Sequence, residues 1–358
     1  MTTAPTSRSP AQALPRLEPP TIDAKADLVE ERESRSTSQP SSVQGRKRTS
    51  PLDGMRKFSE VGLQRPMRRR SPSTPDIVPD GTRFIAGSYS NAAGSRTYKL
   101  FVPSRSEGRQ LPLIVMLHGC TQSPEDFAAG TRMNFLAEEQ NCFVVYPEQP
   151  SGANQSKCWN WFRTSDQRRG EGEPSMIAGI TRQIMRDHAI DPKRVYVGGL
   201  SAGGAAAAIM GATYGDLYAA VGVHSGLARG VASDLPSAFA VMRHGGGSKA
   251  IADDKTSVIP TIVFHGDRDT TVHPKNGDRI IEQSAGATRL TTKVLRGRVP
   301  NGHAYTRTVL SDVGDRKIFE RAGHAWSGGS PAGSYTDPQG PDATREMLRF
   351  FLEHSLDE

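Results

Sequence analysis

Hydrophobic residues in this chain are grouped into short, regularly spaced runs from Phe84 onward, whereas residues 1–80 contain no apolar run longer than three residues. Several runs are continuous and end in glycine, proline or a polar turn, which is typical of strands buried on both faces of a sheet. The predicted buried strands are LPLIVML (111–117), CFVVY (142–146), RVYVGGL (194–200), YAAVGVH (218–224) and TIVF (261–264). Two strand-like stretches before them, at 84–89 and 96–102, predict a hairpin.

Segments with helical spacing separate these strands. They cover residues 126–141, with Asn141 as the stop, and then residues 175–190, 202–214 and 342–354. Buried strands that alternate with helices predict the α/β class, with a mostly parallel central sheet and helices on both of its faces. In such a sheet the chemistry collects in loops beyond the carboxyl ends of the strands.

The first 80 residues differ in composition from the rest. They contain eleven of the 25 prolines and many serines and threonines. Such a segment cannot bury enough apolar surface to offset its chain entropy, so residues 1–80 are predicted to be a disordered basic tail and residues 81–358 the folded domain. No internal repeat is visible.

The net charge of +7 is concentrated in that tail, where arginine and lysine cluster at 46–48 and 68–70. Basic clusters can contact nucleic acid or an anionic membrane surface. No aromatic interleaving and no nucleic-acid module accompanies them, so they are interpreted as solvated charge and no nucleic-acid partner is expected. The folded part is close to neutral.

Export and membrane insertion are not supported by the residues themselves. No apolar stretch is long enough to cross a bilayer, and no apolar region follows the first basic residues as in a secretory signal. The three cysteines lack zinc-finger spacing, and Cys142 lies within a predicted buried strand. Cys120 and Cys158 lie in loops. A disulfide between them would stabilise the fold by about 4 kcal/mol, whereas in the cytoplasm both thiols would stay reduced.

A candidate nucleophile stands between a predicted strand and a predicted helix, in the sequence Gly199-Leu200-Ser201-Ala202-Gly203. This matches G-x-S-x-G, in which a sharp strand-to-helix turn lifts the serine hydroxyl above the sheet and close-packed glycines make room for it. Ser201 is therefore predicted to be the nucleophile, against the alternative of a packing turn. Ser225 also follows a strand but lacks the glycine before it.

Serine needs a base to accept its proton, and in this type of fold the chain order is nucleophile, acid, histidine. The loop after TIVF offers Asp267 and Asp269, of which Asp269 is preferred because it lies deeper in the loop. His324, in the glycine-flanked AGHAWSGG, is the predicted base, with His303 as its rival.

Two backbone N–H groups are needed to bind the oxyanion of a tetrahedral intermediate. One is expected from Ala202, the residue after the nucleophile. The other is expected from Cys120 in the LHGCTQ segment, where Gly119 allows the chain to turn; the alternative is a plain strand-ending turn.

Six segments in this order, LHGCTQ, CWNWF, GLSAGG, HGDRDTTVHP, GHAWSGG and SYTDPQGPDATREMLRFF, resemble the polyhydroxybutyrate depolymerase-type esterases of the α/β-hydrolase superfamily. The resemblance implies a serine carboxylic ester hydrolase that needs no metal and no cofactor, with Ser201, Asp269 and His324 as its triad. It further implies a disulfide between Cys120 and Cys158. Trp159, Trp161 and Trp326 are expected either to line an apolar acyl site or to pack in the core.

The expected partner is an ester, either a short hydroxyalkanoate oligomer or another short soluble ester rather than crystalline polymer. A feruloyl or acetyl-xylan ester fits the same triad, and a non-catalytic hydrolase-fold binding protein is the alternative from another class. The resemblance implies an extracellular protein, whereas the missing signal favours the cytoplasm. The sequence carries no indication of the oligomeric state.

Overall fold

The computed structural model describes residues 77–246, 259–286, 291–310, 314–319 and 322–356. The predicted disordered tail lies outside the described residues as far as residue 76, and both it and the predicted domain boundary stay predictions. Among the described residues, no helix is both long and apolar enough to cross a bilayer.

A ten-stranded sheet forms the centre of the described structure. Its strands are β1 (Arg83–Asn91), β2 (Gly94–Val102), β3 (Leu111–Leu117), β4 (Phe143–Pro147), β5 (Ile190–Leu200), β6 (Ala220–His224), β7 (Thr261–Gly266), β8 (Thr292–Arg298), β9 (Ala304–Leu310) and β10 (Gly314–Phe319). The spatial order is β1-β2-β4-β3-β5-β6-β7-β10-β9-β8. Strands β4, β3, β5, β6, β7 and β10 are mutually parallel, while β1–β2 and β8–β9 add antiparallel hairpins at the two edges.

Helices cover both faces of the sheet, which confirms the predicted α/β class. They are α1 (Pro124–Thr131), α2 (Met133–Gln140), α3 (Gly172–Asp187), α4 (Ala202–Thr213), α5 (Leu235–His244), α6 (Lys275–Ala285) and α7 (Ala343–Leu352). Successive strand residues point to opposite faces. In β3, Leu113 and Val115 pack with α3 and α4, whereas Ile114 and Met116 pack with α1, α2 and α7.

The segment 126–141, predicted as a single helical stretch, is two helices. Arg132 separates α1 from α2 with a left-handed backbone, φ 55°. Its guanidinium lies 4.1 Å from the centre of the Phe135 ring, a cation–π contact that helps to hold this turn. Asn141 ends α2 in the left-handed region, as predicted. The break was not predictable because the left-handed position itself is occupied by arginine rather than glycine.

The parallel strands place four loops at one edge of the sheet. β3 ends at Leu117, β5 at Leu200, β7 at Gly266 and β10 at Phe319, so the loops that follow them lie along the same edge. These loops contain every residue predicted for the reaction itself. The edge hairpin β8–β9 and helices α5 and α6 were not predicted.

Candidate active site

Ser201 occupies the sharp turn between β5 and α4. Its backbone has φ 57° and ψ −118°, a conformation that non-glycine residues rarely adopt and that is held by its surroundings. The Ser201 N–H donates to His224 O at 2.9 Å. A side chain at Gly203 would overlap the carbonyl oxygen of Leu117, and one at Gly199 would overlap the backbone of Gly203. The glycines are therefore required by close backbone packing, as the motif predicts.

The structure brings the three predicted triad residues together from three loops. Ser201 Oγ lies 2.9 Å from His324 Nε2, and His324 Nδ1 lies 2.7 Å from Asp269 Oδ2. Both distances are those of direct hydrogen bonds. The hydrogen bond to the carboxylate places the proton on Nδ1, which leaves Nε2 free to accept the serine proton.

Asp269 is 4% exposed and is held by backbone donors. Its Oδ1 accepts hydrogen bonds from the N–H groups of Thr271, at 3.0 Å, and Val272, at 2.8 Å. Burial by itself would raise the pKa of this carboxyl, but the hydrogen bond from His324, the adjacent His324 and His265 rings and the Val272 N–H hold the pKa below its usual value. The group is therefore an anion at neutral pH.

The rival residues lie elsewhere. Asp267 is exposed on the outer part of the same loop, and Ser225 is completely buried. His303 forms its own pair with Asp337, at 2.8 Å between Nε2 and Oδ2. The structure therefore brings only His324 to Ser201 among the candidates weighed from the sequence.

The stretch 322–337, here called the base loop, is anchored beyond His324. Two short strands pair in parallel within it, β11 (Trp326–Ser327) and β12 (Thr336–Asp337). The Ser327 N–H donates to Nε2 of the buried His224 at 3.1 Å. Burial lowers the pKa of His224 to about 3, with the nearby His265 and His324 rings adding to the effect, so the ring stays neutral and can accept this bond. The anchor fixes the chain three residues after the base.

The loop 119–122, here called the oxyanion loop after its predicted role, passes beside the nucleophile. A Cβ placed on Gly119 would lie 3.6 Å from Ser201 Cβ. The Gly119 carbonyl lies 2.8 Å from Nδ1 of His118, whose Nε2 accepts the Gln149 N–H at 3.0 Å. In a planar trans peptide the next N–H, that of Cys120, points away from this carbonyl. His118 therefore orients the predicted Cys120 donor.

His118 does this as a neutral ring. It is completely buried, and desolvation lowers its pKa to about 4. The second predicted donor, the Ala202 N–H, belongs to the first turn of α4, where N–H groups have no partner within the helix. Neither His118 nor His224 was predicted as a site residue, although each follows or ends a buried strand at the carboxyl edge. Their position at the carboxyl ends of buried strands is the sequence feature that could have identified them.

Cys120 and Cys158 are joined by a disulfide. The bond ties the oxyanion loop to residues 158–162, here called the aromatic segment. The buried Glu173 side chain also holds that segment, because its Oε2 accepts a hydrogen bond from the Asn160 N–H at 2.7 Å. Its other oxygen, Oε1, accepts from Gln149 Nε2 at 2.5 Å. The third cysteine, Cys142, is a buried free thiol.

Removal of this disulfide is expected to destabilise the domain. The bond closes a loop between residues 38 apart, which corresponds to about 4 kcal/mol of unfolding free energy on the chain-entropy model. We expect Cys158→Ala to lower the free energy of unfolding by this amount in urea titrations followed by circular dichroism. The double variant Cys120→Ala/Cys158→Ala should lose no more than the single one, and a clearly additive loss would contradict the role of the bond.

Two of the three tryptophans expected at an acyl site are core residues. Trp326 is completely buried; it packs edge-on against Phe127 and its Nε1–H donates to Thr344 at 2.8 Å. Trp159 is completely buried as well, and its Nε1–H donates to His118 O at 3.1 Å. With no exposed surface, neither ring can contact a substrate; for these two the acyl-site alternative is wrong and the core-packing alternative holds. Trp161 is 6% exposed, and its role stays a prediction.

Among the residues that the structure describes, no group of three or more His, Cys, Asp or Glu side chains is arranged to hold a metal ion.

Comparison with known proteins adds independent findings. The chain is 37% identical over 185 residues to poly(3-hydroxyalkanoate) depolymerase C of Paucimonas lemoignei, covering 48% of this chain and 44% of that protein. It is 27% identical over 220 residues to acetylxylan esterase A of Talaromyces purpureogenus, covering 56% of each. The chain thus spans about half the length of the curated relatives it matches.

Solved structures show the same architecture. An acetyl xylan esterase from Aspergillus awamori superposes with a TM-score of 0.60 at 19% identity, covering 75% of this chain and 98% of that one. The acylaminoacyl peptidase of Pyrococcus horikoshii superposes with a TM-score of 0.50 at 12% identity, covering 76% of this chain and 41% of that one. At such identities the likeness shows the fold alone, and it confirms the predicted α/β-hydrolase fold.

The family model described as esterase PHB depolymerase matches residues 96–296. The matched part is more than half of the chain and contains Cys120, Ser201 and Asp269, while His324 follows it. The family expected from the six sequence segments is confirmed: this chain belongs to the esterase PHB depolymerase family.

Proposed function

We propose that this protein is a serine carboxylic ester hydrolase that acts through an acyl-enzyme. One observation carries the proposal: the continuous hydrogen-bonded series from Ser201 Oγ through His324 to the buried Asp269 carboxylate. Such a series makes a weakly nucleophilic hydroxyl reactive at neutral pH. Family membership and the names of the relatives, a poly(3-hydroxyalkanoate) depolymerase and an acetylxylan esterase, support it.

The reaction follows from the geometry. Ser201 Oγ attacks the ester carbonyl carbon while His324 Nε2 takes the hydroxyl proton, and Asp269 stabilises the imidazolium through Nδ1–H. The N–H groups of Cys120 and Ala202 donate to the oxyanion. The C–O bond to the alcohol then breaks, His324 returns the proton to the leaving oxygen, and an acyl-enzyme remains. Water repeats the sequence and releases the acid.

Short hydroxyalkanoate oligomers and other short soluble esters are the proposed substrates. The support is the family and the 37% identity to a protein named as a poly(3-hydroxyalkanoate) depolymerase. Acetylated xylan is the second candidate, favoured by the acetylxylan esterase relatives and by the structural match. A feruloyl ester would use the same triad.

An extracellular location is part of the proposal. The disulfide between Cys120 and Cys158 supports it, because disulfides persist in oxidising compartments and are rare in the reducing cytoplasm.

A substrate panel on the purified protein tests the proposal. We expect hydrolysis of p-nitrophenyl butyrate and soluble hydroxybutyrate oligomers to be faster than that of acetylated xylan, methyl ferulate or suspended polymer. A fluorophosphonate probe should label the wild-type protein and leave Ser201→Ala unlabelled. Faster release of acetate from xylan would favour the second candidate. A wild-type protein that neither labels nor hydrolyses any ester would instead be a binding protein with a hydrolase fold.

A further inference from the structure

Gln122, the last residue of the oxyanion loop, is a buried side chain whose amide is hydrogen-bonded through both its oxygen and its nitrogen. It is 2% exposed. Its Oε1 accepts the Gly119 N–H at 2.9 Å, and its Nε2 donates to Asp126 Oδ2 at 2.9 Å and to Ser334 O at 3.2 Å. Buried amides that are hydrogen-bonded at both ends fix the segments that they join. Gln122 thus connects the start of the oxyanion loop to α1 and to the base loop.

The turn at Ser334 and Tyr335 closes the same connection from the other side. The Ser334 N–H donates to Asp126 Oδ1 at 2.9 Å, and the Ser334 hydroxyl donates to Asp126 Oδ2 at 2.5 Å. The Tyr335 hydroxyl lies 3.1 Å from Thr121 Oγ1, which in turn donates to Cys120 O at 2.6 Å. Contacts from this turn therefore reach the residues on both sides of the Cys120 peptide.

Backbone conformation shows that the connection holds the chain under strain. Thr121 has φ 66° and Tyr335 has φ 52°. Positive φ is unfavourable for a β-branched and for an aromatic residue, and it persists only where surrounding contacts impose it. Tyr335 is 39% exposed, so packing around its ring is incomplete and the hydrogen bonds carry more of the constraint.

The same turn is part of the base loop. The Trp326 N–H donates to Tyr335 O at 2.7 Å, and β12 begins at the next residue, Thr336, which pairs with Trp326. The base loop, which presents His324 to Ser201, is thus also hydrogen-bonded to the oxyanion loop. A contiguous set of hydrogen bonds therefore joins the two loops.

We propose that Gln122 is a positioning residue for the Cys120 N–H, and that through Asp126 and the Ser334–Tyr335 turn it couples the oxyanion loop to the base loop. The inference rests on the proposed function, since it assigns the oxyanion role to Cys120. His118 sets the direction of the Cys120 N–H, and Gln122 sets the place of the peptide. Neither side chain touches the reacting atoms.

Gln122→Leu, compared with Asn134→Leu, tests the proposal. Asn134 is a matched control: it is also a buried amide, donating to Ile77 O at 3.0 Å and accepting from Tyr146 at 2.8 Å, and it lies outside the site loops. We expect Gln122→Leu to lower kcat for p-nitrophenyl butyrate by about 10- to 100-fold, short of the roughly 100- to 1000-fold typical of a lost donor. KM should change little, because the bond acts in the transition state.

An inhibitor separates positioning from loss of stability. A butyl trifluoromethyl ketone forms a tetrahedral adduct with the serine, so its inhibition constant should rise by the factor by which kcat/KM falls. Asn134→Leu should lose thermal stability and keep both constants. If Gln122→Leu behaves like Asn134→Leu in both constants, the proposal is wrong.

Two further measurements keep the test decisive. Tyr335→Phe removes a hydroxyl from an exposed side chain and leaves the core unchanged, so this variant is expected to fold. Loss of one neutral hydrogen bond should lower kcat by about threefold and raise the inhibition constant by the same factor. Hydrogen exchange at Thr121, whose N–H donates to Ser156 O at 2.7 Å, should be faster in Gln122→Leu than in wild type. Exchange does not depend on activity, so unchanged protection refutes the coupling even in a chain that hydrolyses no ester. Conversely, an active wild type with inactive Ser201→Ala leaves the proposed function standing whatever Gln122 shows.

Discussion

Ser201→Ala is expected to reduce kcat for p-nitrophenyl butyrate by about six orders of magnitude, to the level set by the remaining oxyanion donors and binding contacts. The reason is that Ser201 Oγ is the only hydroxyl the structure places against His324 Nε2 among the described residues, at 2.9 Å. Without it no acyl-enzyme forms. The measurement is single-turnover and steady-state hydrolysis, with far-UV circular dichroism to show that the fold is kept.

Two variants serve as controls for this expectation. Ser201→Gly should be equally inactive yet unfold at a higher temperature than Ser201→Ala, because φ 57° at this position is strained for alanine by about 1–3 kcal/mol and open to glycine. Ser225→Ala should retain the wild-type rate, since Ser225 is completely buried and cannot contact a substrate. Retention of even half the activity by Ser201→Ala would overturn the assignment of the nucleophile.

Asp269→Asn is expected to lower kcat by about four orders of magnitude. The carboxylate accepts the Nδ1–H of His324 at 2.7 Å, and its pKa is held below the usual value, so it is charged when the imidazolium forms. An amide in its place can donate its own N–H to the ring, which moves the histidine proton to Nε2 and blocks acceptance of the serine proton. Steady-state kinetics at neutral pH measure the loss.

Asp267→Asn is the matched control in the same loop. Its carboxylate is exposed, so the variant should keep the wild-type rate and stability. If Asp267→Asn were the inactive variant and Asp269→Asn the active one, the acid would be misassigned and the loop would have to rearrange when substrate binds.

Much of the site was predictable because its constraints are local or follow from chain order. The glycines around Ser201 are demanded by backbone contacts within a few residues of the turn, and that demand is visible as G-x-S-x-G. Asp269 and His324 follow from the rule that polar residues beyond parallel strand ends meet at one edge. The continuous apolar runs of β3 and β4 indicated strands covered on both faces, as their burial shows.

The remainder depends on contacts between residues far apart in the chain. Gln122 and Ser334 are 212 residues apart, and nothing near either residue indicates that they touch. Whether Trp326 lines a site or fills the core depends on Phe127 and Thr344, which arrive from α1 and α7. At Gln122 and Trp326, burial arises only when helices and loops from distant parts of the chain pack together, so no local sequence pattern indicates it.

The buried thiol of Cys142 can be used to measure local unfolding of the domain around it. It is the only thiol left once Cys120 and Cys158 are paired, and burial raises its pKa to about 12, so in the folded chain it is both inaccessible and protonated. Alkylating reagents attack the thiolate and need access to it. The rate at which iodoacetamide alkylates the Cys142 thiol therefore measures how often the core around Cys142 opens to solvent, and no engineered label is needed.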